Sequence, residues 1–94
     1  MQGKKQTATL KKELLNKVIG EVIKEKRAVK NKGILLLAYE YDLSTSSLIQ
    51  TEKGKRDPQI STLWKIANAL DMKFSSFILE VESRLPEDFK LIDD

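Results

Sequence analysis

The chain has 94 residues, room for one domain, and 40% of them are apolar, enough for a modest single core. With neither Cys nor His, it excludes disulfides and thiolate metal sites, and it lacks the commonest general base and metal ligand. The net charge of +3 is uneven: residues 1–33 hold ten Lys/Arg against three Asp/Glu, whereas residues 57–94 hold four against eight, so the front half suits a polyanion. A solvated, Lys-rich first helix would produce the same totals.

Residues 1–9 ("MQGKKQTAT") show no periodicity and are expected to be a flexible N-terminus. From Leu10, the apolar positions Leu14, Val18, Ile19, Val22 and Ile23 recur at steps of three and four, which predicts an amphipathic helix capped by Thr9. It should end near Val29, where "KNKG" supplies late positive charge and then Gly33. "ILLLAYEY" (34–41) could be a buried strand, but no other segment alternates with period two to pair with it, so a short helix is expected. Ser44 is a good N-cap for a helix over 45–53, Gly54 can take the positive φ that ends it, and "KRDP" turns the chain at Pro58.

A fourth helix is expected over 61–70, with Leu63, Ile66, Ala67 and Leu70 on one face, and a fifth over 74–84, with Phe77, Ile78 and Val81. Pro86 opens an acidic tail, 86–94, with an apolar kernel of Phe89, Leu91 and Ile92. The fold class is therefore all-α: a five-helix domain over 10–85. No apolar run reaches membrane-spanning length and no leader pattern opens the chain, so a cytoplasmic protein without membrane contact is expected.

Catalysis finds no support. A nucleophilic Ser has no His to activate it, Glu80 and Glu82 fall on different faces of a helix, and no phosphate-cradling Gly loop exists, so neither an enzyme nor a cofactor site is expected.

The two short helices joined by "DLS" carry the functional signal. Ala38 lies four residues before Asp42, so a small side chain falls where two axes at roughly 90–120° must approach, and Leu43 and Leu48 can fill the space between them. The other side of the second helix carries Thr45, Ser46, Ile49 and Gln50, small and hydrogen-bonding as a major groove requires. An ordinary polar surface helix would look the same.

From about Ile19 to Phe77 the chain resembles the Xre-type helix-turn-helix domain of phage repressors and Cro. The residues that carry the resemblance are "GEVIKEKR", "LAYEYDLSTSSLIQTEKGKRDP" and "TLWKIANAL". The likeness implies a dimer that reads pseudo-palindromic double-stranded DNA as a repressor, in a prokaryotic or phage setting. It puts Thr45, Ser46 and Gln50 at base edges with Ile49 as their apolar neighbour, and Ser44, Lys53, Lys55 and Arg56 at phosphates. It also makes Arg27 and Glu52 an internal salt bridge.

The chain departs from the family where "S-Q-E-E" usually opens the second helix. Here Gly33, Ile34, Leu35 and Leu36 stand, so a good cap and a phosphate-binding Gln are both lost, and Lys30 or Lys32 would have to replace that anchor. Three adjacent bulky residues cannot all face one small core, and the favoured expectation is that an extended first helix covers them. Trp64 is expected in the core beside Leu63 and Ala67. Met72, Phe74 and Phe77 fall where the family often forms its dimer contact, although the same positions suit plain packing. The rival function is an antitoxin-type or adaptor module, gripping a toxin or another regulator through the apolar 34–36 patch or the acidic tail.

Overall fold

Helix α1 (Gln2–Val29) is 28 residues long, about 42 Å at 1.5 Å per residue, and it sets the longest dimension of a 45 × 25 × 20 Å molecule. The computed structural model describes residues 2–92, with side chains from Thr9 onward. α2 (Ile34–Glu40), α3 (Thr45–Glu52), α4 (Ile60–Ala69) and α5 (Phe74–Ser83) follow, and no strand occurs among the described residues. The all-α, five-helix reading therefore stands.

α1 begins eight residues ahead of the expected start, so Thr9 lies inside the helix and does not cap it. The reason is that periodicity reports the face a helix buries, whereas Gln, Lys and Ala favour helix without burying anything. Leu10 and Leu14 continue the apolar stripe but remain exposed, because only the part of α1 from Leu15 onward meets the core.

The first four helices end alike. In each, the residue after the C-cap takes a left-handed conformation: Asn31 (φ 55°), Asp42 (φ 54°), Gly54 (φ 74°) and Asp71 (φ 58°). The next amide then reaches back into the last turn, Lys32 to the Arg27 carbonyl (3.2 Å), Leu43 to Ala38 (2.9 Å), Lys55 to Gln50 (3.0 Å) and Met72 to Ala67 (2.9 Å). Short polar Asn and Asp tolerate this geometry where bulkier residues do not. Asn31, not Gly33, thus ends α1. Gly33 is extended (φ −72°, ψ 157°) and stands as an N-cap of α2 that offers no side-chain hydrogen bond.

The core joins Val18, Ile19, Val22 and Ile23 of α1 to Leu37 and Ala38 of α2, Leu48 of α3, Leu63, Ile66, Ala67 and Ala69 of α4, and Phe77 and Val81 of α5. Leu70, just past α4, completes it. α1 packs against α3 and α5, and a cluster of ion pairs ties it to the latter. Lys26 Nζ meets Glu80 Oε1 at 2.8 Å, and Arg84 grips Glu25 with both guanidinium ends.

Two packing expectations fail. α1 does not run over α2, so Leu35 and Leu36 are not covered: they are 67% and 50% exposed, while Leu37 alone of that run is fully buried. Trp64 is not a core residue. It is 52% exposed and lies flat against Phe74, with ring centroids 4.6 Å apart and planes 3° from parallel. α4 buries the stripe through Leu63, Ile66, Ala67 and Leu70, and Trp64, one residue past Leu63, turns about 100° away from it.

Candidate nucleic-acid interface

α3 is held from three sides, and the fourth is left open. At its start the Ser44 hydroxyl accepts a hydrogen bond from the Ser47 amide at 3.3 Å, satisfying one of the orphan donors of the first turn. Along its inner face Leu48 is buried, and buried Thr51 donates its hydroxyl proton to the Ser47 carbonyl at 2.8 Å. At its end Gly54 turns the chain in a conformation that L side chains rarely adopt.

The first helix presses directly on that end. A Cβ on Gly20 would stand 2.2 Å from the Glu52 carbonyl oxygen, and one on Gly54 would stand 2.9 Å from the Lys17 Cα, so at both places backbone meets backbone. Beside this seam Arg27 donates Nε to Glu52 Oε2 (3.0 Å) and Nη2 to Glu52 Oε1 (2.7 Å), a two-pronged pair between part-buried groups. Its third bond, Nη1 to the Lys32 carbonyl at 3.0 Å, fixes the loop that leads into α2. The bonded Glu52 carboxylate raises the guanidinium above its ordinary pKa, against the opposing effect of burial. The expected Arg27–Glu52 pair is thus formed.

On the open side Thr45, Ser46, Ile49 and Gln50 share one face. Ser46 is exposed and the other three are half-buried; none is fully buried. Ser44 is exposed at the head of the helix, and Lys53, Lys55 and Arg56 are exposed at its foot. Those three cations form no ion pair with any described residue. Lys32 stands apart from them. Its ammonium meets Glu40 Oε1 at 2.9 Å and lies 5.3 Å from the centre of the Tyr41 ring, and the Glu40 contact raises its pKa. Lys30, the other candidate anchor near α2, is paired with Asp71. Sequence reasoning passed over Gly20, whose signal was a lone glycine inside a strong helical pattern, a mark of close backbone approach.

The class these features define is a helix-turn-helix domain: two short helices packed together with Ala38 buried, a left-handed turn at Asp42, and a capped second helix whose polar side reaches solvent. A helix-turn-helix family model matches residues 23–77, and the chain belongs to that family, in the Xre-type branch that its sequence resembles. It is 32% identical over 74 residues to the HTH-type transcriptional regulator SutR of Escherichia coli (strain K12), a match covering 79% of this chain and 42% of that protein. The chain thus spans less than half the length of this relative. Among solved structures, the clp gene regulator ClgR from Corynebacterium glutamicum superposes with a TM-score of 0.67 over 73% of each chain at 22% identity, a likeness of fold. Among the described residues no acidic or His/Cys cluster could hold a metal, and no helix is long and apolar enough to cross a membrane.

Proposed function

We propose that this chain binds double-stranded DNA in a sequence-specific way and regulates transcription, as a homodimeric repressor on a pseudo-palindromic operator. One observation carries the reading: the face of α3 bearing Thr45, Ser46, Ile49 and Gln50 reaches solvent, with Ser46 exposed and the other three half-buried, and Lys53, Lys55 and Arg56 at its foot pair with no carboxylate among the described residues. A rod of that shape, polar on its open side and rigid through its caps and its seam with α1, fits the major groove. Gln50 can bond an adenine in two-pronged fashion, the Thr45 and Ser46 hydroxyls can meet base acceptors, and Ile49 offers an apolar contact to a thymine methyl. Ser44, Lys53, Lys55, Arg56 and Lys32 would serve the backbone, setting register and salt dependence. For Lys32 that requires giving up Glu40.

Selection of duplexes from a random pool tests this directly, and a two-fold symmetric consensus is the expected result. On that site Gln50→Ala should cost about 1–3 kcal/mol and relax one base pair. Equal losses on random DNA would remove Gln50 from base reading. Lys55→Ala should weaken all sequences alike and lower the salt slope by about one unit.

A second reading rests on Leu35 and Leu36, exposed side by side on α2. Such a patch suits a protein contact, as in an antitoxin-type module that also binds its operator. Leu35→Lys should then abolish binding of that protein partner while leaving operator affinity intact.

A further inference from the structure

The face of α1 that reaches α3 at Gly20 continues upstream through Lys17, Asn16, Glu13, Lys12 and Thr9, and there it faces the α3–α4 loop across an open crevice of about 690 Å³. The far wall of that crevice is Lys53, Gly54, Lys55 and Arg56, the foot of the α3 face. This stretch of α1 lies outside residues 23–77, the part matched by the family.

Two features distinguish the crevice from an ordinary charged surface. Its charge is one-sided: Lys12 is neutralised by Asp57 at 2.9 Å, and Glu13 is the remaining carboxylate against Lys17, Lys53, Lys55 and Arg56, none of which has a salt-bridge partner among the described residues. It also contains a polar group without a partner. Asn16 is only 8% exposed, and its buried Oδ1 meets no hydrogen-bonding group among the described residues. Burying an amide oxygen unpaired is costly, and the Asn16 side chain lies at the wall of the crevice. A phosphate oxygen accepts and never donates, so Asn16 can serve it only through its amide N–H donors.

We propose that this crevice is a second backbone-phosphate site, in which Lys17 and the Asn16 amide on α1 hold a phosphodiester together with the cations of the α3–α4 loop. The proposal rests on the DNA-binding reading above and extends it: phosphate contact runs from α3 onto the part of α1 ahead of the family match. Lys53 closes the α3 face and also lines the crevice, so one strand could follow both without a break. The site supplies anchoring on the α1 side of α3, whereas the N-terminal end of α2 carries Ile34, which offers no hydrogen bond to phosphate.

The test measures the affinity of the full-length chain for its selected operator and for a random duplex across a salt series. Lys17→Gln should lower the slope of log affinity against log salt by about 0.9 on both duplexes, and affinity by about eightfold at 0.1 M salt, the effect of one fewer released counterion. Lys17→Arg should restore both. Asn16→Asp, nearly isosteric but negatively charged, should weaken both duplexes equally, with its fold checked by circular dichroism. An unchanged slope in Lys17→Gln, while Lys55→Ala still lowers it, overturns the proposal and leaves the DNA reading standing. Failure of the wild-type chain to bind any duplex overturns both. Titration with inorganic phosphate, followed by amide NMR at Lys17, Gly54 and Lys55, separates the remaining source of the same chemistry. Saturation at those positions together with an unchanged slope assigns the crevice to a free anion and overturns the backbone assignment.

Discussion

Helices α2 and α3 are nearly the same length and bury their inner faces against one another, yet they are built in opposite ways. α3 has a side-chain cap at Ser44, a left-handed glycine at its end and a polar outer face. α2 begins at an uncapping Gly33 and turns Leu35, Leu36 and Tyr39 outward. α3 is fastened by a side-chain cap and a two-pronged, part-buried ion pair, whereas α2 relies on Leu37, Ala38 and part-buried Ile34 with a more exposed Lys32–Glu40 pair. The difference teaches that rigidity is concentrated in the element that, on the proposed function, would enter a groove, where an error of an ångström breaks hydrogen bonds. Greasy contacts tolerate such an error.

The strongest way to break this contrast is at the seam behind α3. Gly20→Ala puts a methyl group 2.2 Å from the Glu52 carbonyl, and α1 and α3 must separate. Denaturant titration should show a loss of about 3 kcal/mol, even though Ala favours helix over Gly by about 1 kcal/mol. Glu52→Gln should come next. It strips the charge from the two-pronged pair with Arg27, and a loss of about 2 kcal/mol is expected in the same titration. An effect below about 0.5 kcal/mol would show that the pair does not hold α3.

Removing the cap by Ser44→Ala should cost about 1 kcal/mol, read as a lower melting temperature together with weaker DNA binding. Conversely, Gly33→Ser gives α2 the cap it lacks. Nothing lies within 4 Å of a Cβ there, and the extended backbone accepts any residue. A gain of a few tenths of a kcal/mol is expected, and a loss would mean that Gly33 is needed for another reason.

The smallest effect is acid-dependent, and it bears on the α1–α5 clamp rather than on α2 and α3. The Arg84 guanidinium holds the Glu25 carboxyl below its ordinary pKa, and Lys26 does the same for Glu80. Because the folded values are depressed, the unfolded chain binds more protons. The contribution is complete above the ordinary carboxylate value and disappears as pH falls through the depressed one. The urea midpoint should therefore fall between about pH 5 and pH 3, and less so in Glu25→Gln.

Much of the fold was legible in the residue pattern, because the signals were local. Ser44, Gly54 and Pro58 punctuate the chain, and Val18, Ile19, Val22 and Ile23 announce a buried face. Arg27 and Glu52 were paired only through family likeness, since nothing local links residues 25 positions apart. The misreadings share a cause. Leu35, Leu36 and Trp64 were assigned to the core because they are apolar, but apolarity states a preference while neighbours decide the outcome. α1 passes α3 and α5 instead of α2, and the α4 stripe already fills its side of the core.

The sequence by itself determined the five helices, the start and end of α3 and its polar side, because capping, periodicity and left-handed turns act within a few residues. Only the tertiary structure decided that α1 meets α3 at Gly20 and so carries Asn16 and Lys17 alongside Lys53, Lys55 and Arg56. Such a meeting depends on the angle at which two helices cross, and that angle is set by all the side chains between them.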